Sequence, residues 1–113
     1  MGKEKININQ FNKLKLLVGT IEKAEEFVEA KKPAYKLYID FGMYGKKWSS
    51  AQIVENYNID KLNGMQIIAA VNLGNKNIGK FISEVLVMGV DDNDSNVVLL
   101  HPDKKIQNGA EVN

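Results

Sequence analysis

Two stretches of the sequence carry residues that could do chemistry. His101, the sole histidine, precedes Pro102 and Asp103 in an apparent turn. Nucleophilic catalysis there would need a serine and a carboxylate brought in from elsewhere, and no nucleophile elbow exists. His101 and Asp103 offer two metal ligands at most, too few for a closed site. The second stretch, Gly74-Asn-Lys-Asn-Ile-Gly79-Lys80, reads GxxxxGK like a phosphate-binding loop. Phe81 follows where a serine or threonine must hold magnesium. The segment beyond it has strand character, so the helix N-terminus that should face the phosphates is missing. Cysteine is absent, which excludes a thiolate nucleophile, a thiolate metal site and a disulfide scaffold. The sequence therefore predicts a protein that is not an enzyme, with no metal and no cofactor.

What remains is the chemistry of lysine. All 15 basic residues are lysines, set against 14 acidic residues and a net charge of +1. A nucleic-acid site on such a chain must be a local patch rather than a global field. Lysine can position a phosphate, but without arginine the bidentate contacts that read guanine edges are lost. Any RNA reading is then expected to follow shape, with little sequence specificity.

These lysines need a scaffold. The chain has 113 residues, 44% hydrophobic and 26% charged, which suits one globular domain spanning 1–113. The start, MGKEKININQF, lacks the apolar core of a signal peptide, and Ile6 breaks the myristoylation pattern. The longest apolar run, Ile67 to Val71, is too short to span a bilayer. A cytoplasmic protein with no membrane partner is expected.

Ile8, Phe11 and Leu14 recur at a spacing of three, which predicts a short N-terminal helix over 6–14. Leu16 to Phe27 reads as a strand whose Gly19 suggests a bulge or barrel corner. Tyr35 to Phe41 alternates, with Tyr35, Leu37, Ile39 and Phe41 on one face and Lys36, Tyr38 and Asp40 on the other. A turn at Gly42 to Gly45 leads into the partner strand Lys46 to Ala51. Asn58 is placed to cap a short helix through Leu62, ended by Gly64. Gln66 to Leu73 and Ile82 to Val90 read as strands separated by a loop at 74–80, with a turn at Asp91 to Ser95. Val97 to Leu100 and the tail through Ile106 suggest further short strands. The sum is an all-β OB-fold: a five-stranded Greek-key barrel with a short helix between strands 3 and 4. An SH3-like barrel competes on strand count, and the helix between strands 3 and 4 favours the OB reading.

OB-folds bind on the face of strands 2 and 3 and with the loops between strands 1 and 2 and between strands 4 and 5. Lys31 and Lys32 fall in the first of those loops, and Lys36 on the outer face of strand 2. Lys46 and Lys47 flank the 2–3 turn, and Lys76 and Lys80 fall in the 4–5 loop. The acidic residues are expected largely elsewhere, at Asp91, Asp92, Asp94 and along the first strand. Trp48 in strand 3 can stack on an unpaired base or pack inward, and Tyr38 shares that ambiguity. Ser49, Ser50, Gln52 and Asn72 add neutral donors and acceptors near the same face.

Several strings occur in order: Val18-Gly19-Thr20-Ile21, Lys32-Pro33-Ala34-Tyr35-Lys36-Leu37, Ile39-Asp40-Phe41-Gly42, Ser49-Ser50-Ala51-Gln52-Ile53, Val71-Asn72 and Ser83-Glu84-Val85-Leu86-Val87. From about Phe11 to Gly109 the chain resembles the stand-alone members of the tRNA-binding-domain family, a domain similar to the C-terminal extension of many bacterial methionyl-tRNA synthetases. The resemblance implies tRNA as ligand and a homodimer built by the terminal segments, here around Phe11 to Leu14 and from Val97 onward. It carries the RNA site to Lys36, Ser50, Gln52, Asn72, Ser83 and Glu84, with Lys76 and Lys80 as basic loop residues. Relatives often have prolines and arginines where this chain reads Gly74-Asn75-Lys76-Asn77, so a floppier, less basic loop is expected. The same resemblance implies a second function, an export-related chaperone for unfolded or secretory polypeptides, which a stripe including Met43, Tyr44 or Trp48 would serve. A third is a docking module for an aminoacyl-tRNA synthetase.

Overall fold

The computed structural model describes residues 2–113. Strict alternation sets the sheet. In β2 (Tyr35–Asp40), Tyr35, Leu37 and Ile39 are buried while Lys36, Tyr38 and Asp40 stay half-exposed. Successive strand side chains point to opposite faces. β2 pairs antiparallel with β3 (Lys46–Ala51), which puts Tyr38 opposite Trp48 and Lys36 opposite Ser50. The long β1 (Leu16–Glu26) serves two neighbours. Its first half pairs with β4 (Gln66–Ala70) and its second half with β2. The sheet order is β3-β2-β1-β4-β7, with β7 at Leu86–Val87.

The two edges of that sheet approach each other through residues 83–84. The Glu84 N–H donates to the Trp48 carbonyl at 2.8 Å, and the Ser50 N–H donates to Ser83 Oγ at 3.0 Å. The result is a nearly closed five-stranded antiparallel barrel, the OB-fold expected from the strand count. Leu17, Ile21, Leu37, Ile39, Phe41 and Ile67 fill it, and Leu62 of the short helix α2 (Ile59–Leu62) joins them. Gly64, at φ +89°, ends that helix as expected. Asn58 precedes it but makes no side-chain capping bond. No helix of the described residues is long and apolar enough to cross a membrane.

Three expectations about the strands and loops are corrected. The irregularity in β1 lies between Ile21 and Lys23, not at Gly19. Gly19 is small for another reason: a Cβ there would sit 2.6 Å from Phe41 Cε1 and 2.7 Å from Ile39 Cγ2. The segment 82–90 is not one strand. It breaks into β6 (Phe81–Ser83), β7 and β8 (Gly89–Asp91), because 83–84 bends away to reach β3. The loop 74–80 contains β5 (Lys76–Ile78), which pairs with β6 in a hairpin. Gly79, at φ +61°, takes the first central position of its two-residue turn, where a positive φ favours glycine.

The termini also differ from expectation. The N-terminal helix α1 is only Ile8–Phe11, set by a capping box in which Asn7 and Gln10 each bond the other's backbone N–H. None of its residues is buried. Beyond β9 (Val97–Leu99), the stretch through Ile106 forms no strand. Instead 109–112 runs along the free edge of β1, through Gly109 N–H to the Val18 carbonyl at 2.8 Å and Val112 N–H to the Leu16 carbonyl at 2.9 Å. Gln66 clamps the approach, donating to the Ile106 carbonyl and accepting from the Ile106 N–H.

A side chain at Gly19 must displace two core residues. Gly19→Val is expected to cost about 1–3 kcal/mol by overpacking. Thermal unfolding followed by circular dichroism should show Tm lower by about 4–8 °C for each kcal/mol lost.

Candidate nucleic-acid interface

The outer face of β2 and β3 carries a run of aromatic rings. Tyr38 and Trp48, directly opposite in the register, lie with ring centroids 4.8 Å apart. Phe81, delivered by the β5–β6 hairpin, meets Trp48 at 5.9 Å with the planes at 83°. Phe27 meets Phe81 edge-on at 5.1 Å. Lys36 threads among them, its Nζ 4.8 Å from the Phe27 centroid and 5.4 Å from that of Phe81. Its side chain is only 21% exposed. Such a cation over aromatic faces gains about 0.5–2 kcal/mol, more as it is desolvated. Phe27 and Phe81 are missing from the sequence-derived site, since only the unrecognised hairpin brings Phe81 back over β3.

The predicted residues divide between neighbouring clefts. Lys36, Trp48, Lys80 and Glu84 line one of about 530 Å³, together with Glu25, Asn75 and Phe81. Ser50, Gln52, Lys76 and Ser83 line another of about 430 Å³, with an apolar wall that includes Val85 and Leu99. Lys32 and Gln52 border a third depression, and Lys31 is exposed in the β1–β2 loop. Asn72 reaches none of these. It accepts from the Lys15 N–H at 2.8 Å and donates to the Lys13 carbonyl at 2.7 Å, fastening the N-terminal segment. Ser49 is fully buried, its hydroxyl donating to the Ser50 carbonyl.

Ser83 and Glu84 carry a structural duty. Ser83 Oγ accepts the Ser50 N–H, and Glu84 Oε1 accepts the Trp48 N–H at 3.0 Å, so both hold the barrel seam. The GxxxxGK string runs through a hairpin, and Phe81 opens a strand rather than a helix. His101 is exposed, its Nδ1 2.9 Å from the Pro102 carbonyl oxygen.

The electrostatics correct the expectation that acids lie elsewhere. Lys46 meets Glu22 at 3.0 Å, Lys23 meets Glu25 at 3.0 Å, Lys36 meets Glu29 at 3.9 Å and Lys47 meets Glu84 at 4.0 Å. The acidic partners come from β1 (Glu22 and Glu25), from the β1–β2 loop (Glu29) and from the seam (Glu84); Glu25 stands opposite Lys36 in the register but pairs with Lys23 on its own strand. The hydrogen bond from Lys46 to Glu22 raises the lysine pKa further above its ordinary value. Among the described residues, Lys31, Lys32, Lys76 and Lys80 have no carboxylate within 4.0 Å. Of the lysines expected around this face, those without an ion pair are thus the ones of the β1–β2 loop and the β5–β6 hairpin.

A family model described as "Putative tRNA binding domain" matches residues 16–111. The chain is 32% identical over 109 residues to the methionine–tRNA ligase of Methanocaldococcus jannaschii, a match covering 96% of this chain and 16% of the ligase. The chain thus spans a small part of that relative. A crystal structure of chaperone CsaA from Bacillus anthracis superposes with a TM-score of 0.92 at 45% identity, covering 97% of this chain and 100% of that one. The CsaA chaperone protein of Picrophilus torridus gives 0.89 at 46%, covering 96% and 100%.

Removing the Ser83 hydroxyl strands the Ser50 N–H at the seam. Ser83→Ala is expected to cost about 1–3 kcal/mol, the penalty of a buried donor left unpaired. Urea unfolding should show a lower midpoint, and amide exchange should be faster at Ser50.

Proposed function

The chain belongs to the tRNA-binding-domain family, and from that premise we propose that it binds tRNA, or other structured RNA, without catalysis. The observation that carries this reading is the set of unpaired lysines Lys31, Lys32, Lys76 and Lys80 bordering an aromatic face. Lysine contacts to phosphate release counterions and supply affinity independent of sequence. Lys36, Trp48, Ser50, Gln52, Ser83 and Glu84 lie between them and supply stacking and hydrogen bonds. The whole chain, 1–113, acts as one domain in the cytoplasm. Asn72, proposed for this site from the resemblance, contributes instead by holding the N-terminal segment.

The active form in this reading is a homodimer. Ile8 of α1 is 67% exposed, and Leu86, Val90, Val98 and Leu100 of the β7–β9 region are exposed together. Water-facing apolar residues in such number suit an interface between copies. Two copies double the basic surface and let an L-shaped RNA be engaged at two places. A second reading is a chaperone for unfolded or secretory polypeptides. It is supported by the two solved relatives, both described as chaperones, and by Met43, 90% exposed beside Tyr44 at the β2–β3 turn. The ligase relative supports docking to an aminoacyl-tRNA synthetase as a further partner.

Fluorescence anisotropy with bulk tRNA separates the two main readings. RNA affinity should fall steeply with salt, whereas polypeptide binding through apolar surface should not. Lys76→Ala with Lys80→Ala should weaken tRNA binding about tenfold or more and flatten the salt slope by about 1–2. An unchanged affinity would remove the hairpin from the site. Light scattering should give a mass twice that of one chain, and Leu86→Lys with Val98→Lys should halve it.

A further inference from the structure

We infer that the cleft between Trp48 and Phe81 takes one unpaired nucleobase bearing an exocyclic amino group, so that cytosine is held in preference to uracil. This rests on the RNA-binding reading above and names what one part of that surface recognises.

The rings form the two walls of a corner. Trp48 and Phe81 stand at 83° with centroids 5.9 Å apart, so a flat group lying on one meets the edge of the other. Aromatic groups favour both the stacked and the edge-on contact. Each ring is also held by a second one, Trp48 by Tyr38 at 4.8 Å and Phe81 by Phe27 at 5.1 Å. The cleft, about 530 Å³, has room for a base with its sugar.

Its charges argue against a simple phosphate trap. Lys36 and Lys80 line it, but so do Glu25 and Glu84. A phosphate placed between them would meet repulsion from the carboxylates, and a carboxylate covered by a ligand needs a donor to replace water. Base edges supply such donors. Glu84 is also fixed in place: its Oε1 accepts the Trp48 N–H at 3.0 Å, and its own N–H donates to the Trp48 carbonyl at 2.8 Å. Oε2 lies 4.0 Å from Lys47 Nζ, too far for a direct hydrogen bond. One acceptor thus stands ready beside the indole on which the base would stack.

A carboxylate accepts from the cytosine N4 amino group. Uracil presents a carbonyl oxygen at the same position, and two acceptors repel. Lys80, which lines the same cleft and has no ion pair, is then left for the phosphate beside the base. The preference applies to one unpaired position and adds to binding otherwise set by shape and phosphate. It needs no arginine, since the reading group is an acid.

The test uses the full chain and two labelled single-stranded RNAs, hexacytidylate and hexauridylate, by fluorescence anisotropy at neutral pH and low salt. Both are pyrimidines, so stacking differs little between them. Hexacytidylate should bind about five- to tenfold tighter. Glu84→Gln should abolish or reverse the preference, because the amide oxygen stays with the Trp48 backbone N–H and the NH2 group that replaces Oε2 donates to the uracil carbonyl but cannot accept from the cytosine amino group. Should that variant unfold, the native protein still decides the matter. Trp48 is the single tryptophan, and its emission should be quenched at lower concentrations of hexacytidylate than of hexauridylate. Equal affinity for the two RNAs, with tRNA still bound, would overturn the inference and leave the RNA reading standing. Failure to bind tRNA and both oligonucleotides would overturn the two together.

Discussion

The barrel depends on a short seam. Between Trp48 and Ser50 on β3 and Ser83 and Glu84 at the end of β6, three hydrogen bonds join edges that would otherwise be open. Exposed sheet edges invite pairing with other chains, and closure removes them. Only one of the three is a backbone pair. The others use the Ser83 hydroxyl and the Glu84 carboxylate in place of ladder bonds, so the seam depends on side-chain identity as well as on backbone pairing. The same two residues stand in the candidate interface. Closing the barrel and presenting the β5–β6 hairpin over β3 are consequently one event.

That geometry explains the character of the face. Glu22, Glu25, Glu29 and Glu84 stand beside Lys46, Lys23, Lys36 and Lys47, and these ion pairs neutralise much of the strand lysine charge. Surface ion pairs of this kind contribute little stability, about 0–1 kcal/mol each. Their larger effect is on which lysines around this face stay unpaired, namely Lys31, Lys32, Lys76 and Lys80. Lys80 lines the aromatic cleft, Lys76 the neighbouring one and Lys32 a third depression, so the free cations border a locally neutral centre rather than fill it. Lys36 belongs to the centre, since its ammonium is spent on the rings of Phe27 and Phe81.

Much of this was legible in the sequence because period-two alternation is a local signal. Tyr35 to Phe41 read directly as a two-faced strand, and the lysines fell at OB-fold binding positions once five strands were counted. The β5–β6 hairpin was not legible: Gly74 to Lys80 looks like a loop because its strands are only three residues long. Hence Phe81 was missed, and with it the corner against Trp48. Gly19 was noticed for a backbone reason when a tertiary one applies, since nothing local reveals that Phe41 and Ile39 cross it. The role of Asn72 was hidden likewise, because its partners at Lys13 and Lys15 are 57–59 positions away.

The central claim is that RNA lies on the β2–β3 face under the β5–β6 hairpin. A nitrogen-15 NMR titration of the labelled protein with tRNA tests it most directly. The account predicts the largest shifts at the Trp48 indole and at the backbone amides of 76–84, with the amides of the β1–β2 loop following. Shifts confined to Met43 and Tyr44, or to the β8–β9 hairpin, would contradict it.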